Sequence, residues 1–154
     1  MIITTIKITE NYPYHLLLLA DETIEAINKY LFQSDVYLAI HEERPVGVFC
    51  LYPIDAHTTE IKNIAIDKDY QRLGIGSYLL AEVARLAKAQ AYKVLIVGTP
   101  DGAIPQIDFY KKNGFMPYSI RKNFFLENYE LPIYENGIQL KDMLMLKKNL
   151  TTAE

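Results

Sequence analysis

The stretch Glu60-Ile61-Lys62-Asn63-Ile64-Ala65-Ile66-Asp67, then Lys68-Asp69-Tyr70 and Gln71-Arg72-Leu73-Gly74-Ile75-Gly76-Ser77, decides how this chain folds. Its first part is rich in isoleucine and reads as a β-strand. From the glycines to about Gln90, Leu79, Leu80, Val83, Leu86 and Ala87 recur at helical spacing, with Glu82, Arg85 and Lys88 on the wet side. Strand, Gly-x-Gly turn and long helix in direct succession make a place for an anion. The first amides of a helix lack intrahelical partners, its dipole favours negative charge, and glycines leave those amides open to approach. No Lys-Ser or Lys-Thr follows Gly76, so this is not a Walker loop, and no third glycine follows at dinucleotide spacing. Taken alone, Gly-x-Gly is a weak signal that a plain tight turn also explains.

Working outward, residues 1–10 predict a first strand, and the stretch from Asn11 to Phe32 turns helical, with Asp21-Glu22-Thr23 able to start a second helix. Val36–His41 and Val46–Pro53 read as strands joined by the polar turn Glu42-Glu43-Arg44-Pro45. Lys93–Val97 is the apolar run of a central strand buried on both faces. Ile104–Asn113 reads as a short helix ended by Gly114, and Met116–Arg121 and Asp142–Lys147 as closing strands. The expectation is one mixed α/β (α+β) domain spanning 1–154, without repeats or linkers.

Composition narrows the function classes. Half of the 154 residues are apolar, and 16 basic against 19 acidic residues leave a net charge of −3, which excludes nucleic-acid binding through overall positive charge. No apolar run approaches the ~20 residues that a membrane span needs. Cys50 is the single cysteine, so there is neither a disulfide framework nor a zinc site built on paired cysteines, and His15, His41 and His57 show no metal spacing. A soluble cytoplasmic protein without metal, nucleic-acid or membrane partners is expected.

The order Glu60–Asp67, Gln71-x-x-Gly74-x-Gly76, then Asp108-Phe109-Tyr110-Lys111-Lys112-Asn113-Gly114-Phe115 closely resembles the two landmarks of GCN5-related N-acetyltransferases, the GNAT superfamily. The resemblance is strongest over 34–122, with an acetyl-CoA-binding core at about 57–122. It implies a mixed, mostly antiparallel sheet flanked by helices and splayed open between strands 60–67 and 93–98. The pantetheine arm of acetyl-CoA would pair with the backbone at Ile64, Ala65 and Ile66, as an added strand does. Its pyrophosphate would sit on the turn formed by Gln71, Arg72, Leu73, Gly74, Ile75, Gly76 and Ser77. Asp101 stands nearest to an asparagine that the family often uses on the pantetheine arm, and is an imperfect analogue. Dimers are common among such proteins, so a homodimer is a further implication.

The implied chemistry is direct acetyl transfer to a primary amine. An alkylammonium must lose a proton before it attacks a thioester, and the leaving thiolate needs an acid. The resemblance places Tyr110 near the cofactor sulfur as that acid, and Glu60 where some members carry a base; a water path is the alternative to Glu60. Strand alternation would put Glu60, Lys62, Ile64 and Ile66 on one face. Tyr110 as a packed ring and Glu60 as an exposed strand end remain open, as do a non-catalytic CoA-binding sensor and a protein lysine or N-terminal acetyltransferase. Cys50 reads as a buried, inert thiol. Residues 123–140 exceed what a hairpin needs, and from Phe124 to Leu140 hold Glu127, Glu130 and Glu135, four aromatics and no lysine or arginine. They are expected to pack on the sheet edge, to form a dimer contact, or to wall the site of a small cationic acceptor such as a polyamine or amino sugar.

Overall fold

In the computed structural model, which describes residues 1–151, nine strands and five helices follow the chain, the anticipated elements in the anticipated order, with a short helix and two short strands added within the insert 123–140. The strands are β1 Thr4–Ile8, β2 Asp35–His41, β3 Arg44–Pro53, β4 Thr58–Ile66, β5 Val94–Pro100, β6 Met116–Arg121, β7 Tyr134–Glu135, β8 Ile138–Gln139 and β9 Met143–Asn149. The helices are α1 Tyr14–Leu17, α2 Ile24–Leu31, α3 Ile75–Ala89, α4 Ile104–Lys112 and α5 Phe124–Asn128. Seven strands form one sheet in the order β1-β2-β3-β4-β5-β9-β6, antiparallel except for β4 with β5. This is the expected mixed, mostly antiparallel sheet.

Helical periodicity sets both layers that cover it. Leu79, Leu80, Val83 and Ala87 of α3, with Tyr110 of α4, pack on one face against Phe49, Leu95, Val97 and Leu146. Leu16, Leu17, Ile27 and Leu31 of α1 and α2 cover the other face against Val36, Val48, Cys50 and Ala65. The start of α2 is fixed by Thr23, whose hydroxyl accepts from the Ala26 amide at 3.0 Å. Gly114 follows α4 with φ +94°, the left-handed conformation anticipated for it.

Two features of β4 position the site. Its parallel pairing with β5 runs only from Thr58↔Val94 to Ile61↔Val97, although β4 continues to Ile66 and β5 to Pro100. From Lys62 onward β4 therefore has no strand partner on that side, while β3 pairs its other edge as far as Ile66. The sheet splays there, as expected. The second feature overturns the simple alternation. The register with β3 shifts between Cys50↔Asn63 and Leu51↔Ile61, so Lys62 is an extra residue in a bulge. After it the faces exchange: Ile64 and Ile66 pack with Ile61 on the α3 side, whereas Asn63 and Ala65 face α1 and α2. Glu60 and Lys62 do not share a face with Ile64 and Ile66.

Candidate active site

On the α3 side the site is built from backbone. Arg72 (φ +65°) and Gly74 (φ +81°) take left-handed conformations that swing the chain from the 3-10 turn Lys68–Tyr70 into α3. Among the described residues, no protein acceptor takes a hydrogen bond from the amides of Arg72, Leu73, Gly74, Ile75, Gly76 or Ser77. Six free amides at the N-terminus of a four-turn helix fit an anionic group such as a pyrophosphate. Gln71 braces this turn, its side-chain amide donating to the Ile66 carbonyl at 2.9 Å. The glycines have local reasons of their own: Gly74 its positive φ, and Gly76 a Phe109 ring carbon that an added Cβ would meet at 3.1 Å.

Tyr110 is 9% exposed and sits between Phe109 and Phe115, edge-on to both. Burial pushes its phenol up to about 12, so the hydroxyl keeps its proton across the neutral range, and among the described residues no group accepts from it. Asp101 is exposed in the β5–α4 connection, its amide donating to the Asp142 carbonyl. Cys50 is fully buried, and burial raises its thiol to about 12, consistent with an inert core residue.

On the opposite face lies a cavity of about 320 Å³ at the mouth of the splay. Its walls come from distant segments: Asp21 and Glu22 before α2, Tyr30 of α2, Tyr52 of β3, Glu60 and Lys62 of β4, and Phe124, Phe125 and Tyr129 of the insert. The insert is thus one wall of a pocket. Of its three glutamates only Glu135 borders this cavity; Glu127 does not, and Glu130 lies along a neighbouring depression of about 500 Å³. Glu60 is 3% exposed rather than an exposed strand end, and both its oxygens accept from the Arg121 guanidinium at 3.2 Å, with Lys62 at 3.5 Å.

Sequence reasoning missed the network across this pocket. Asp21 accepts from the Tyr129 hydroxyl (2.6 Å), the Tyr30 hydroxyl (2.9 Å) and the Glu22 amide (2.7 Å). Tyr30 in turn accepts from the Asn63 side chain at 3.1 Å. Burial first, and then the Asp21 carboxylate, push both phenols up, so they remain donors. Asp21 reads locally as a helix start, and nothing in its neighbourhood signals a partner 108 residues away. No group of three or more potential metal ligands occurs among the described residues.

The sequence profile of the Acetyltransferase (GNAT) family matches residues 7–115. The chain belongs to this family. A GNAT family acetyltransferase from Elizabethkingia anophelis, solved with acetyl-CoA bound, is 45% identical with a TM-score of 0.91, covering 96% of this chain and 97% of that one. The IAA acetyltransferase from Bacillus cereus is 35% identical with a TM-score of 0.88, covering 96% and 99%. The uncharacterized N-acetyltransferase YvbK of Bacillus subtilis is 35% identical over 92% of both chains. This GNAT chain therefore joins acyl-CoA-dependent N-acyltransferases, and no described helix is long and apolar enough to cross a membrane.

Proposed function

We propose that this GNAT enzyme transfers the acetyl group of acetyl-CoA directly to the primary amine of a small molecule that arrives as an ammonium cation. The observation that carries the reading is the splay, with free amides behind it and a pocket of about 320 Å³ in front of it. A cavity of that size suits a metabolite-sized acceptor better than a folded protein surface. Acetyl-CoA supplies the activated acyl group. The amides from Arg72 to Ser77 hold its pyrophosphate, and the unpaired edge of β4 from Asn63 to Ile66, including Ile64 and Ala65, receives its amide-bearing arm. Asp101, exposed at the end of β5, contributes at most its backbone to that arm.

Tyr110 is the acid side. A phenol near 12 does not give up its proton in the ground state, but it donates a hydrogen bond that strengthens as negative charge grows on the departing sulfur. On the amine side Glu60 is the carboxylate at the start of the splay. Both its oxygens are already engaged by Arg121, so Glu60 acts by fixing Arg121 and Lys62 while water takes the amine's proton. Gln71 holds the turn against β4 through its hydrogen bond to the Ile66 carbonyl.

The test is thiol release from acetyl-CoA across a panel of small primary amines, with the acetylated product identified by mass. Release that depends on an amine and yields the N-acetyl product is expected. Tight acetyl-CoA binding without release for any amine would point instead to a CoA-binding module.

A further inference from the structure

On the β4 wall of the pocket Lys62 lies beside Glu60, which Arg121 also pairs. Glu60 is enclosed by Arg121 and Lys62, two cations on one carboxylate, and the Lys62 side chain is only 23% exposed. Charge taken out of water is stable only when it is partnered. Arg121 spends its planar fork on Glu60. Lys62 lies over the Tyr52 ring at 5.4 Å, and its 3.5 Å tie to Glu60 is long for an ammonium that carries three donors.

The other charged groups lining the cavity are Asp21, Glu22, Glu135 and Lys29, and among the described residues none of them pairs with Lys62. Asp21 accepts from two hydroxyls and an amide, Glu22 and Glu135 are exposed on the rim, and the Lys29 ammonium donates to the Asn128 carbonyl at 3.0 Å. Lys62 is thus a cation facing the cavity with unspent donors, and it is the first residue of β4 beyond the pairing with β5. Rings of Tyr52, Phe124, Phe125 and Tyr129 line the space beside it.

We propose that the acceptor carries a carboxylate close to its reacting amine and an apolar, ring-sized body, the chemistry of an aromatic amino acid, with Lys62 binding the carboxylate. This rests on the acetyl-transfer reading above, which sets the reacting amine at the start of the splay. It replaces the polyamine suggested by the insert's glutamates, two of which lie off the cavity.

Two probes that differ only in charge test it: N-acetyl-L-phenylalanine and its primary amide, titrated calorimetrically into the CoA-saturated protein. The acid should bind at least about fivefold more tightly, roughly 1 kcal/mol. Lys62→Met should erase the difference while melting temperature and CoA affinity hold, because Arg121 still pairs with Glu60, and Lys62→Arg should keep it. Equal binding of the two probes, no binding of either, or an undiminished preference in Lys62→Met overturns the proposal. Thiol release with L-phenylalanine and with phenethylamine separates the two readings. If neither amine is acetylated but the charge preference stands, transfer to such amines fails and the carboxylate site survives. If phenethylamine reacts as well as phenylalanine, transfer stands and the carboxylate site fails.

Discussion

The two sides of the splay are made of different material. Behind it, the site for the cofactor's phosphates is backbone: consecutive amides from Arg72 to Ser77, aimed by two left-handed residues and a helix terminus. In front of it, the acceptor pocket is side chains from six or more segments, joined by contacts such as Glu60–Arg121 and Asp21–Tyr129 that span 61 and 108 positions. A backbone site tolerates almost any side chain that keeps the turn. A side-chain site changes its ligand with one substitution. The arrangement suits a family with a common donor and varied acceptors.

Substitutions break or sharpen this contrast, in descending order of expected effect. Tyr110→Phe should lower kcat about 10²-fold with acetyl-CoA affinity nearly intact, measured under conditions where chemistry is rate-limiting. Gly76→Val, which crowds the Phe109 ring and the open amides together, should weaken acetyl-CoA binding by about 2 kcal/mol in a calorimetric titration. Tyr129→Phe removes the insert's bond to Asp21 and should raise the acceptor KM several-fold while leaving the acetyl-CoA KM alone. Leu73→Ala and Ser77→Ala keep the backbone, and acetyl-CoA affinity should stay within about twofold of the parent. A large loss in either would mean that side chains, not amides, hold the phosphates.

Burial of Tyr110 also has a pH signature. Its native phenol titrates near 12 against an ordinary value of 10.0, so between those values the unfolded chain has lost a proton that the native one retains. The stabilisation is complete below pH 10 and is lost as pH climbs toward 12. Alkaline unfolding followed by circular dichroism should therefore be less steep in Tyr110→Phe than in the parent.

The same contrast explains what was legible in the sequence. The sheet order's key segment could be read because isoleucine-rich β4, Gly74, Gly76 and the α3 stripe are adjacent, and each signal is local. The bulge at Lys62 was not legible: a one-residue shift leaves no mark in composition, yet it moves Ile64 and Ile66 to the opposite face from that implied by alternation. Arg121 reads as the end of a strand and Asp21 as the start of a helix; only the fold makes them partners of Glu60 and Tyr129. The insert was recognisable by length and ring content, but its glutamates misled, since a loop's charge says nothing of which carboxylate faces inward.

The central claim is that backbone amides of one turn hold the donor's phosphates, and amide-resolved NMR addresses it without altering the protein. On titrating CoA into uniformly 15N-labelled protein, the largest shifts should fall on Arg72 to Ser77, with a second group on Asn63 to Ile66 and little change around Asp21 and Tyr129. Saturable CoA binding that leaves the amides of Arg72 to Ser77 in place would contradict the account.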